Sequence, residues 1–336
     1  MRKPLKFESG SSLIEVMISM TLALFVIGAL VAVFVSTSRS YHQDQMQSRM
    51  QSNARFALKT LVEELSMSGF FGHEAVDVST TTALILNSDC GGGSGAWALD
   101  TANSIAVSHN VSAATAHATY SCIEQSKFSP GTDIFSIKRV AGKPLSRLVA
   151  DSGDYGDNFY RTGYSTNGQL LQYDGTSILD GTSFDWEYSA SIYYIRNESL
   201  INSNDGIPTL YRKSLDKLDI VETDGGIARG IERFRIIFGI DSEAIDANPD
   251  TKPDGTPNYF TSNPSTIEFT AITSARIFVL ARSTQELTSY VKNKSYVLGD
   301  ITVTDFNDGY YRKVFSTTVA IRNPALRSII KSFLPS

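Results

Sequence analysis

Histidine and cysteine are scarce in this 336-residue sequence, four of the first and two of the second. His42, His73, His109 and His117 fall in no metal-ligand spacing such as HExxH, so surface or local hydrogen-bonding roles are expected of them. Cys90 and Cys122 are too far apart for a CxxC redox pair and too few for a zinc site. GxSxG, P-loop and dinucleotide fingerprints are also missing. No catalytic residue, metal ligand or cofactor is therefore expected. With 10 prolines and 24 glycines the chain has too few of either to be collagen-like or disordered. Basic residues form no cluster and the net charge is −5, which disfavours nucleic acid as the main partner. No internal repeat is present.

Charge itself is missing from one long stretch. Met1 to Gly10 is short and mostly basic (Arg2, Lys3, Lys6 against Glu8), but from Ser11 to Ser38 the only charged residue is Glu15. About 25 residues at about 1.5 Å each span a hydrocarbon layer of roughly 30 Å. The basic flank predicts a cytoplasmic N-terminus and export of the remainder. A secretory signal peptide also has a basic start and an apolar run, but its run is shorter and ends in a small-x-small cleavage site. Here the run is too long, and Phe34-Val35-Ser36-Thr37 is a poor site. An uncleaved anchor is the better reading. In an exported head Cys90 and Cys122 are expected to form a disulfide, a free thiol pair being the alternative.

Prolines are absent between Pro4 and Pro130, so nothing breaks a helix before Gly69. Met46, Met50, Ala54, Ala57, Leu58, Leu61 and Leu65 recur at three- and four-residue steps, an apolar stripe. Gln43, Asp44, Gln47, Arg49, Gln51, Arg55, Lys59, Glu63 and Glu64 are expected on a solvated face. One helix with an apolar first half and an amphipathic second half follows. Beyond Gly72 the pattern becomes that of strands. Phe234, Ile236, Phe238 and Ile240 alternate, and Ser191–Arg196, Leu210–Lys213, Ala275–Arg282 and Tyr310–Arg322 are further β-prone runs. The fold class is α+β with an antiparallel sheet. Leu326, Ile329, Ile330, Phe333 and Leu334 predict a short amphipathic helix at the end. Asp241, Glu243, Asp246, Asp250 and Asp254 invite a calcium reading. Their spacing is not that of an EF-hand and Pro249 and Pro253 interrupt it, so a solvated loop is preferred. Tyr193-Tyr194 and Tyr310-Tyr311 are explained by strand positions without a ligand.

Gly10-Ser11-Ser12-Leu13-Ile14-Glu15 resembles the processing site of type IV prepilins. The resemblance implies cleavage after Gly10, N-methylation of Ser11 and an assembly role for Glu15, although a mature chain beginning with serine departs from the usual Phe or Met. Three further segments resemble the PilW family of minor pilins. They are Asn53-Ala54-Arg55-Phe56-Ala57-Leu58 with Ser68-Gly69-Phe70-Phe71-Gly72; Pro208–Arg212, Gly230-Ile231-Glu232 and Phe238–Asp241; and Val314–Asn323. What this implies is a type IV pilin-like protein of five parts: a leader (1–10), a transmembrane half-helix (11–37), an amphipathic half-helix (38–69), a β-rich head (70–323) and an amphipathic tail (324–336). It implies a single-pass inner-membrane protein that passes into a filament from the periplasm to the cell surface. The expected role is priming of a type IV pilus, within the filament or at its tip. Other minor pilins, the major pilin, the prepilin peptidase, the inner-membrane assembly platform and a tip adhesin are the expected partners. A J-type pseudopilin of a type II secretion system shares the processing site, and a surface adhesin or DNA-uptake pilin is the third reading.

Overall fold

The computed structural model describes residues 12–72, 86, 88–91, 97–101, 104–143, 158–163, 166–172, 183–216, 219–222, 226–246, 253–265, 267–287, 294–304 and 306–323. The expected leader and the expected tail helix lie outside them. The chain divides into two units, Met1–Arg49 and Met50–Ser336. One helix, α1 (Leu13–Ser66), supplies all the described regular structure of the first unit and opens the second. Every large apolar side chain from Leu13 to Val35 is exposed, and this part of α1 is long and apolar enough to cross a membrane. A helix apolar on all sides needs an apolar medium around it.

From Met50 onward α1 becomes a core element. Met50, Ala54, Ala57, Leu58, Leu61 and Leu65 are buried in one cluster with Phe234, Ile277 and Tyr193. This is the stripe read from the sequence without Met46, which is only half-buried. Glu64 corrects the expected solvated face: it is buried and takes two hydrogen bonds from Arg139, at 2.8 and 3.1 Å. A helical period places Glu64 beside Leu61 and Leu65, and only a strand far along the chain supplies its counter-charge. The last turn closes with Met67 N–H on Glu64 O and Ser68 N–H on Leu65 O. Asn323 then donates from Nδ2 to Ser68 O at 3.1 Å, across 255 residues.

The first sheet holds β1 (Ile105–Val111), β2 (Thr132–Val140), β3 (Asn158–Gly163), β4 (Thr166–Gln172), β5 (Ser183–Arg196), β6 (Thr209–Asp216), β7 (Asp219–Glu222) and β8 (Ala228–Arg229). Its order is β1-β2-β5-β3-β4, with β6 joining β5 to β7 and β8. The second holds β9 (Ile231–Ile240), β10 (Tyr259–Thr261), β11 (Ile272–Arg282) and, after the hairpin of β12 (Tyr296–Leu298) and β13 (Ile301–Val303), β14 (Arg312–Ala320). Its order is β10-β9-β11-β14, and all the pairings are antiparallel. Phe234, Ile236, Phe238 and Ile240 of β9 are buried as expected, but Arg235, Ile237 and Gly239 between them are buried as well, so the strand is covered on both faces where its alternation predicted one. Phe135 and Ile137 of β2 and Tyr193 and Ile195 of β5 belong to the same core cluster, so both sheets meet the stripe of α1. A short helix, α2 (Ala113–Thr119), begins where Ser112 accepts the Thr115 N–H.

Cys90 and Cys122 form the expected disulfide, with Cα atoms 4.8 Å apart and a sequence separation of 32. Closing a loop of that length is worth about 3.7 kcal/mol in chain entropy. Replacing both cysteines by serine should lower the melting temperature by roughly 7–15 °C. Calorimetry of the oxidised chain and the double variant checks it, and equal melting temperatures would refute it.

A second staple is electrostatic. Glu198 is buried and accepts from Lys127 Nζ (2.9 Å), Arg196 Nε (2.8 Å) and the N–H groups of Asn202 and Asn204 (both 3.2 Å). Burial works against its charge, but these bonds outweigh it and hold the carboxyl down to about 2. A folded pKa below the unfolded one stabilises the fold above the unfolded value and loses that contribution as pH falls through the folded value. The chain should therefore lose stability between about pH 4.5 and 2, and Glu198→Gln should remove this component. The same variant takes the shared carboxylate from buried Arg196 and half-buried Lys127, at a cost of about 3 kcal/mol at neutral pH. Urea midpoints measured across pH for both proteins test both statements. A parallel fall in the two would remove Glu198 from the acid response.

Candidate functional site

The site begins at the start of α1. Ser12 O accepts the N–H groups of Glu15 (2.9 Å) and Val16 (3.2 Å), which fixes the first helical turn. Glu15 stands in that turn, where the positive end of the helix favours a carboxylate. Ser19 Oγ donates to Glu15 O (2.7 Å) and Thr21 Oγ1 to Ile18 O (2.8 Å), so these hydroxyls are satisfied by the helix itself. The Glu15 carboxylate is exposed and has no side-chain partner among the described residues. It is also the only charge between Ser12 and Ser38. A charge in an apolar medium costs a few kcal/mol unless it is paired, so this helix carries one demand that the described residues of its own chain do not meet. Gly10 and Ser11, the expected cleavage and methylation residues, lie outside the described residues.

The other segments singled out in the sequence hold the fold. Asn53 Nδ2 donates to Arg229 O (2.9 Å), joining α1 to the end of β8. At Gly230, φ is +74° and a Cβ would stand 2.6 Å from the carbonyl oxygen of Arg282, so no side chain fits there. Glu232 takes Arg312 Nε and Nη2 at 2.6 and 3.0 Å, and Asp308 takes Arg312 Nη1 and Nη2 at 2.6 and 2.7 Å. Gly72 has φ +76°, and a Cβ there would meet the Trp186 ring at 2.6 Å. Apart from Asp308 and Arg312, four residues apart, these contacts could not be placed from one sequence, because each joins residues distant in the chain.

Of the acidic loop, Asp241, Glu243 and Asp254 lie close, with one ligand atom of each within 4.8 Å of the others. Both oxygens of Asp241 already accept main-chain N–H groups, from Glu243 (3.0 Å) and Gly255 (2.9 Å). Asp254 accepts the N–H and hydroxyl of Thr256 (2.7 and 2.6 Å), and these bonds hold its carboxyl below the ordinary range. The carboxylates tie the loop together, and Asp250 lies outside the described residues. His109 bridges Asp133 and Ser262 O, His117 contacts Ile123 O, His42 is exposed on α1, and His73 is outside the described residues. Tyr193 and Tyr194 are buried strand residues, stacked on Phe135 and Phe128.

Residues 192–323 match the family model described as Type IV Pilus-assembly protein W, PilW. The family resemblance found in the sequence is borne out over that segment, which runs from the second half of β5 through β14. No curated protein matches the chain. Among solved structures, a type IV-like pilin from Thermus thermophilus is similar at 10% identity, with 82% of this chain and 97% of that one covered and a TM-score of 0.35. The family match, together with one apolar helix near the N-terminus, supports a pilus-related, membrane-anchored protein that interacts with other pilus components.

Proposed function

We propose that this chain is a minor pilin, made as a precursor and cut after Gly10, that helps prime type IV pilus assembly and enters the filament or its tip. Residues 1–10 are the leader, 11–37 the membrane-spanning half of the helix, 38–69 its amphipathic half, 70–323 the head and 324–336 a tail. The leader stays in the cytoplasm until the peptidase removes it, and the new amine on Ser11 is methylated. The observation that carries this reading is Glu15, a solitary exposed carboxylate in the first turn of an apolar helix. A terminal ammonium on Ser11 of a neighbouring subunit supplies the missing charge, and pairing offsets the desolvation of both groups. The match to the pilus-assembly family favours this reading over a J-type pseudopilin.

Gly10→Val should block processing, because the peptidase must close on a bare backbone at that position. Intact mass of the membrane-bound chain would then retain the ten leader residues; a mature N-terminus at Ser11 would refute the cleavage site. Glu15→Ala keeps the helix, since alanine is a strong helix former, and should be inserted and cut normally. Its amount in sheared filaments should fall steeply, as one stranded charge costs several kcal/mol. Glu15→Gln should fail in the same way, because an amide leaves the amine unneutralised. Wild-type incorporation of Glu15→Ala would leave Glu15 a bystander.

A further inference from the structure

The second sheet has a face turned away from the α1 cluster. Ile237 of β9 stands opposite Arg276 of β11, Arg235 opposite Phe278, and Gly239 opposite Phe260 of β10. Opposite residues share a face. Ile237, Phe260, Arg276 and Phe278 therefore lie together, while Ile236, Phe238 and Ile277 belong to the helix cluster. The turn between β12 and β13 presses onto this face: Gly299 has φ +64°, and a Cβ there would stand 2.2 Å from Ile237 Cδ1. Beside the turn a cleft of about 590 Å³ stays open, lined by Phe260 to Ser262, by Arg276 and Phe278, and by Val297 and Asp300 of the hairpin. That volume suits a small organic ligand.

The chemistry of the cleft is uneven. Phe260, Phe278, Ile237 and the exposed Val297 make apolar walls. The Arg276 guanidinium lies 3.6 Å from the centre of the Phe260 ring, and a guanidinium laid on a ring keeps its fork of N–H donors at the edge. No carboxylate or other acceptor among the described residues reaches it. Arg139, Arg196, Arg235 and Arg312, by contrast, each hold a carboxylate. Asp300 does not compete for Arg276, because its two oxygens take Arg235 Nε and Nη2 at 2.7 and 2.6 Å. We propose that this cleft binds an organic carboxylate with an apolar body, the carboxylate on the Arg276 fork and the body against Phe278 and Val297. A planar carboxylate matches that fork with two parallel bonds. A phosphate monoester fits worse: it carries a second charge, the lining offers no second cation, and Asp300 repels it. The inference goes beyond the pilus reading and does not depend on it.

Titration calorimetry of the full chain in nonionic detergent tests this, with empty micelles as the background for partition of each probe. 3-Phenylpropionate should bind saturably, and its amide at least about tenfold more weakly, because the amide makes no charge-assisted pair. Arg276→Gln should bind the acid as weakly as the amide. Arg276→Lys should fall between, since an ammonium keeps the charge and loses the fork. Val297→Trp, at an exposed position, should fill the mouth and weaken the acid with every charge in place. A tripeptide ending in phenylalanine with a free carboxylate separates two sources of the group. Tighter binding than the free acid assigns the cleft to a chain end, and weaker binding assigns it to a small molecule. Equal binding of acid and amide to the unaltered chain overturns the proposal without any variant. Undiminished binding of the acid to Arg276→Gln or to Val297→Trp overturns it too, as does tighter binding of phenyl phosphate. Failure of both the acid and the tripeptide to bind is equally fatal. Filament entry is not measured in any of these titrations, so their failure leaves the pilus reading standing.

Discussion

The fold turns on the burial of one helical stripe. Met50, Ala54, Ala57, Leu58, Leu61 and Leu65 meet residues of both sheets in a single cluster. Neither sheet has a complete core without them. Alanine at positions 54 and 57 leaves room for the larger side chains of β9 and β11 to approach the helix. The same helix changes character along its length, from a part with every large side chain exposed to a part buried on one face. Sequence sets that change: the apolar residues stop occupying all sides and retreat to a three-and-four spacing.

The charged groups of the head follow another rule. Glu64, Glu198 and Glu232 are each held by arginine, and none of these pairings is local to a helix turn. They join β2 to α1, the end of β5 to the loop that follows it, and β9 to β14. Buried pairs of this kind contribute specificity of register as much as stability, because any other pairing leaves a charge uncompensated. Arg312 also lies over the Phe306 ring at 3.8 Å, so its guanidinium is fixed on an apolar face as well as on two carboxylates.

Much of this architecture was legible in the sequence. The single helix, its change from all-round apolar to striped, the strand at residues 232–241 and the disulfide each carry a local signal, a period or a compartment argument. Glu64 was misread because a helical period shows only that a residue lies near the edge of the stripe, not that Arg139 waits there. The strands β1 and β2 were missed: their polar positions, such as Asp133, Ser136 and Lys138, are buried against partners elsewhere and disguise the alternation. Of the candidate site, Glu15 was legible because a lone charge in an apolar run is conspicuous.

The bond from Asn323 to Ser68 O joins the last described residue to the end of the first helix. A ribosome makes the helix early and the strand before Asn323 last. Until that strand arrives, the buried stripe of α1 has only part of its cover and the main-chain carbonyl of Ser68 lacks this donor. Closure of loops this long is slow, and partly covered apolar surface attracts proteases and wrong partners. The closing contact of the head thus waits on a segment made long after the helix. A chain cut a few residues before Asn323 would lose the bond to Ser68 and the cover given by Val319 and Ile321, and would leave that end of the cluster open.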